Sequence, residues 1–175
     1  MKKNDDGYVL PFVLVVLIVM ALVATTALSA ALRNINTQQN FIKRMQDRYQ
    51  AEGAIEIVVA ELTGEATYIV QDSSVVSKGG AVEYLVKKIC DDVKSKVSSN
   101  NVALEYNKME EWTETTGYKF QLKSVYTSPE NNKVEMTADL VFNGAIAEDS
   151  LASKKFTISI PSVTYTSYEI GGATE

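Results

Sequence analysis

Apolar and polar positions are distributed along this chain in three regimes. From Tyr8 to Leu32 there are 25 consecutive residues without a charge, rich in Val, Leu, Ile and Ala. A helix rises about 1.5 Å per residue, so some 20 apolar residues cross a bilayer core of about 30 Å. The run Val9 to Leu32 is long enough, and too uniformly apolar for an ordinary core helix. Beyond Arg33 neither Pro nor Gly interrupts the pattern until Gly53. Apolar residues recur at Ile35, Ile42, Met45, Tyr49 and Ile57, with a neighbouring line at Ile55, Val58 and Leu62. Steps of three, four and seven mark an amphipathic helix. Thr63-Gly64 supplies a C-terminal stop. The pattern therefore predicts one helix over 9–62, about 80 Å long, apolar all round in its first half and on one side in its second. Pro11 is tolerated because it falls in the first turn, where no amide partner is lost.

The rest of the chain changes period. Tyr68 to Gly80 reads as a loop. Residues 81–97 read as a second amphipathic helix, with Val82, Leu85, Val86, Ile89, Val93 and Val97 on one face and charges on the other. The period then becomes two: Val102, Leu104 and Tyr106; Tyr118, Phe120 and Leu122; Val134, Met136, Ala138, Leu140 and Phe142; Phe156, Ile158 and Ile160. These are half-buried antiparallel strands. Ser128-Pro129-Glu130-Asn131-Asn132 is a turn between two of them. Asn143 to Lys154 reads as a longer surface connection, and Gly171-Gly172 as a flexible tail. A sheet with one apolar face must bury it, and the stripe of the long helix is the expected partner. The fold class is α+β: a long N-terminal helix packed on a C-terminal antiparallel β-sheet, with a second short amphipathic helix.

Charge and composition narrow the function. Histidine is absent, which excludes His-based triads and imidazole metal sites. The one cysteine, Cys90, permits no internal disulfide. Lys2 and Lys3 balance Asp5 and Asp6. Arg33, Lys43, Arg44 and Arg48 balance Asp47, Glu52, Glu56 and Glu61. Removing these six pairs from 17 basic and 22 acidic residues leaves 11 against 16, so the distal part carries the whole net charge of −5. An acidic domain argues against nucleic acid as a partner. Flanking charges alone leave the orientation of the apolar run open. A cleaved secretory signal is one alternative, with a small-x-small site around Leu28-Ser29-Ala30. Its apolar region would exceed the usual 7–15 residues or so, and the helical pattern runs on past it. No cysteine lies in the run or just after it, which excludes a lipoprotein anchor.

The N-terminus carries a resemblance. Gly7-Tyr8-Val9-Leu10-Pro11-Phe12 is similar to the processing site of type IV pilins and of the pseudopilins of type II secretion. There a short polar leader ends in glycine, a membrane peptidase cuts after it, and the new terminus is N-methylated. A second match, Tyr49-Gln50-Ala51-Glu52-Gly53-Ala54-Ile55-Glu56, resembles an Ala-Glu-Ala-Gly segment of one group of minor pilins. The resemblance implies a leader over 1–7, cleavage between Gly7 and Tyr8, and methylation of Tyr8. It implies a membrane and filament-core helix over 8–32, its amphipathic continuation over 33–62 and an exterior domain over 63–175. Implied partners are other pilin subunits, the prepilin peptidase, a pilus assembly membrane protein with its ATPase, and the lipid bilayer before assembly. The subunit would wait in the cytoplasmic or inner membrane with its C-terminal domain outside, and end in an extracellular or periplasmic filament. Major pilins carry a glutamate four residues after the first mature residue, which neutralises a neighbouring subunit's terminal ammonium. Here that position is Phe12. An unpaired charge in an apolar core is costly, so the departure favours a minor or tip-located subunit.

No other motif outweighs this. Asp91-Asp92 and Glu110-Glu111 are the candidate carboxylate pairs or metal ligands, but adjacent helical residues diverge by about 100°, so Asp91 and Asp92 do not converge. Cys90 lies beside the apolar face of the second helix and reads as a small core residue. Trp112 and the tyrosines offer either an adhesive surface or ordinary cross-strand aromatics, the latter favoured. The expectation is a structural protein with no catalytic residues, no metal and no cofactor. Left open are pilus against secretion or DNA-uptake pseudopilus, and a single-pass membrane protein whose exterior domain binds a partner without polymerising.

Overall fold

The computed structural model of the chain describes residues 9–129, 131–150 and 154–171. The elements are α1 (Val9–Thr63), β1 (Thr67–Gln71), α2 (Lys78–Val97), β2 (Val102–Thr113), β3 (Gly117–Thr127), β4 (Lys133–Ser150) and β5 (Lys155–Gly171). The chain divides into two compact units, residues 1–44 and 45–175. α1 supplies residues 9–44 to the first and 45–63 to the second.

In the second unit the five strands form one antiparallel sheet in the order β1-β5-β4-β3-β2. β2 to β5 are a meander. β1 lies at the far edge, so α2 must carry the chain from one edge of the sheet to the other. Register fixes which side chains share a face: Tyr118 opposes Phe142, Phe120 opposes Leu140, Leu122 opposes Ala138 and Ser124 opposes Met136. All eight are buried. Phe156 and Ile158 of β5, Val102 and Leu104 of β2 and Val70 of β1 join them in one core. The side chain of Ile160 lies outside the described residues.

Both helices bury into this core: Ala51, Ala54, Ile55, Val58 and Leu62 from α1, and Ala81, Val82, Leu85, Val86, Cys90, Val93 and Val97 from α2. At about 25 cal/mol per Å² of apolar surface, this burial is the main force holding helices to sheet. The other face of the sheet is polar and tied across strands. Lys119 pairs with Glu110 at 2.7 Å and Lys123 with Glu135 at 2.8 Å, and the Gln121 amide donates to Asp139 at 2.8 Å. α2 starts at Lys78, slightly before the expected 81, because Ser77 caps it: its hydroxyl accepts from Gly80 N–H at 3.0 Å.

Of the two apolar lines on α1, the core uses the one with Ile55, Val58 and Leu62. Ile35, Ile42, Tyr49 and Ile57 are exposed. Small Ala51 and Ala54 extend the buried line. Three further expectations are corrected. Residues 68–80 include most of β1 and the first turn of α2, because Thr67–Gln71 pairs with Lys155–Ser159 of β5. The stretch from 143 is no surface connection, because β4 runs on to Ser150 against β5. Gly171 is no tail residue, since it closes β5 opposite Glu135, while Gly172 lies outside the described residues. The turn after β3 is present as expected: Asn131 N–H donates to Ser128 O and Ser128 N–H to Asn132 O, each at 2.9 Å, with Asn131 in the left-handed region.

Candidate functional site

The first unit takes in residues 9–44 of α1, and its apolar stretch is residues 9–32. Among the described residues it belongs to the one helix long and apolar enough to cross a membrane, and none of its most apolar window is buried by the protein. Pro11 stands in the first turn, and the Phe12 side chain is 70% exposed. Gly7 and Tyr8 lie outside the described residues.

The few polar side chains in this stretch are satisfied by the helix itself. The hydroxyls of Thr25 and Thr26 donate to the carbonyls of Leu22 and Val23, and Ser29 Oγ to that of Thr25, at 2.8–2.9 Å. In hydrocarbon an unmatched hydroxyl costs several kcal/mol, so this back-bonding removes the main objection to burial in lipid. Thr25, Thr26, Ser29 and Ala30 also leave a shallow notch on the helix surface, bordered by Arg33. Small side chains let apolar helices approach closely.

In the second unit, the residues singled out as possible chemistry are dispersed. Asp91 and Asp92 lie exposed on α2. Glu110 pairs with Lys119 across the strands, whereas Glu111 pairs with Lys108 at 3.4 Å. Cys90 is buried, and desolvation, with a smaller effect from Asp91, pushes its thiol up to about 12. A thiol so held is not a nucleophile near neutral pH.

Trp112 is the residue whose setting the sequence did not disclose. It is half-buried at the end of β2 and borders two recesses. One, of about 400 Å³, is lined by Gly79 and Gly80 at the start of α2 and by Glu83, Lys108 and Glu111. The other, of about 310 Å³, is lined by Glu114 and by Gly144, Ala145 and Ile146 of β4. β3 stops at Gly117, so β4 beyond Phe142 has no β3 partner, and this leaves the second recess open. The local signal was the run Asn107-Lys108-Met109-Glu110-Glu111, where alternation fails before Trp112. The carboxylates are held by ion pairs: Lys108 Nζ meets Glu83 at 2.7 Å, and Lys78 Nζ meets Glu114 at 3.2 Å.

Comparison of the chain with protein-family profiles, with curated proteins and with solved structures gives no match.

Proposed function

We propose that the chain is a structural minor subunit of a type IV pilus or a related pseudopilus. It is made as a prepilin, cleaved after Gly7, methylated on Tyr8 and assembled through α1. The supporting observation is the dual environment of one helix. Val9–Thr63 is a single α-helix, uncharged through Leu32, and its last turns complete the core of an antiparallel sheet. Such a helix suits lipid at one end and an exterior domain at the other. Before assembly residues 9–32 occupy the membrane, with residues 45–175 outside. During assembly a membrane protein and a cytoplasmic ATPase move subunits from lipid into a filament, where apolar helices pack on one another. The notch at Thr25, Thr26, Ser29 and Ala30 suits such packing. The role is non-enzymatic and takes no metal or cofactor. Phe12, where the resembling major subunits carry glutamate, supports placement at or near the filament tip.

Intact-mass measurement of the membrane-extracted protein tests this reading. The expected species lacks Met1 to Gly7 and carries one methyl group on Tyr8. An unprocessed terminus, or a cut near Ala30, overturns it. Gly7→Ala is expected to leave the full-length form in the membrane.

A further inference from the structure

The setting of Trp112 has a separate consequence. It is the only tryptophan in the chain, and it contributes to two recesses of about 400 and 310 Å³. Ligand sites fall in roughly this size range and pair an apolar surface with a few placed polar groups. A ligand that engages both recesses is an extended one that passes the indole.

The charges narrow the ligand class. Three carboxylates, Glu83, Glu111 and Glu114, and two ammonium groups, Lys78 and Lys108, surround the indole. Both ammonium groups already meet carboxylates, Lys78 with Glu114 at 3.2 Å and Lys108 with Glu83 at 2.7 Å and Glu111 at 3.4 Å. The five groups sum to −1, so an anion gains no net attraction. A cationic ligand would have to displace lysines already in place, exchanging one ion pair for another. A wholly apolar ligand would strand the charged head groups. Each carboxylate keeps acceptor sites beyond its lysine, since an ionised carboxyl offers about four. A fit then requires hydroxyl donors beside a flat C–H face, without charge.

The geometry points to a binding site for a neutral, extended oligosaccharide. The indole of Trp112 takes the C–H face of one ring, and Glu83, Glu111 and Glu114 accept hydrogen bonds from hydroxyls on either side. This does not depend on whether the chain polymerises, and it fails or stands without the filament reading.

The lone tryptophan is also the reporter. The full chain is held in a detergent without a sugar headgroup and titrated with chitotriose, cellotriose and lactose. Sialyllactose, inorganic phosphate and tetramethylammonium are the charged comparators. The expected result is a saturable change in Trp112 emission with at least one neutral sugar, at a Kd on the order of 0.1–1 mM and insensitive to salt. Glu111→Lys leaves the reporter in place and is expected to weaken binding tenfold or more. The Glu111 side chain is 86% exposed, so this variant should fold. Trp112→Ala, followed by calorimetry, is expected to abolish binding, while Tyr165→Ala retains it. No response to any neutral sugar overturns the site. So does a response equalled by phosphate or tetramethylammonium, or one that survives Glu111→Lys.

Discussion

Gly117 is packed so tightly beneath β4 that a methyl group on it would lie 2.8 Å from the carbonyl oxygen of Phe142. Its φ is +69°, in the left-handed region that side chains other than glycine rarely adopt. Two penalties therefore coincide at the turn that feeds β3 into the core. Gly117→Ala is expected to lower stability by about 2–4 kcal/mol, since neither β4 nor the turn can yield cheaply. Denaturant titration of the full chain in detergent, followed by circular dichroism, checks this. Wild-type stability would mean that the hairpin relaxes freely.

Two lines on α1 separate folding from assembly. Leu62 is 0% exposed, whereas Ile57, on the other line, is 42% exposed. Leu62→Ala leaves a cavity against the sheet and should cost about 2–5 kcal/mol. Ile57→Ala removes a side chain that is only partly covered and should cost less, about 1 kcal/mol. If the exposed line packs against other subunits, Ile57→Ala and Ile42→Ala will lower the amount of this chain in sheared filaments with far less loss of stability than Leu62→Ala. Equal destabilisation by Leu62→Ala and Ile57→Ala would remove the distinction.

Ser124 is the polar intruder in the core. It lies between Leu104 and Met136 in register, is fully buried, and its hydroxyl meets no hydrogen-bond partner among the described residues. An unmatched buried hydroxyl is a net cost. Ser124→Ala is thus expected to raise stability by about 1 kcal/mol in the same titration, and a loss of similar size would show that the hydroxyl is satisfied after all.

How far the sequence discloses this fold depends on the element. α1 and α2 are legible because long runs with a 3.6 period or without charge admit few readings. The central strands are legible because Phe120, Leu122, Ala138 and Leu140 alternate cleanly. β1 escapes because it has five residues and buries only Val70 fully, too short for a period. The outer halves of β4 and β5 escape because bulges at Asn143/Ala145 and at Asp139/Leu140 shift the phase. The choice between the two lines on α1 is tertiary: Ala51 and Ala54 are weakly hydrophobic, yet they are buried in the core. The Trp112 recesses are least legible, since segments near residues 80, 110 and 145 meet only in the fold.

Alkaline pH should weaken the second unit in a defined window. Burial raises the Cys90 thiol from 9.0 to about 12. Desolvation also raises the phenols of Tyr106 and Tyr118, joined through their hydroxyls, above 10.0. Each group binds its proton more tightly folded than unfolded. Their contribution is therefore complete below about pH 9, and it is lost as pH rises through the folded values. Denaturation midpoints should hold from neutral pH to about pH 9 and fall beyond it. Cys90→Ala should make the early part of that fall shallower. A midpoint that rises above pH 9 would contradict the burial of these groups.

Phe12 offers the sharpest test of the subunit's place in a filament. In the proposed reading it leaves a neighbour's terminal ammonium without a carboxylate, which suits a position where few copies stack. Phe12→Glu supplies that carboxylate. A charge at the centre of a membrane helix costs about 2.5–3.5 kcal/mol on insertion scales, but near the end the side chain reaches the interface and the cost falls. Membrane insertion should survive the change. The Phe12 side chain is 70% exposed, so protein packing is not disturbed either. The variant is expected to appear in more copies per filament, measured as its ratio to the major subunit in sheared preparations. If the wild-type chain already forms long homopolymers, or if the variant leaves the ratio unchanged, Phe12 does not limit its placement.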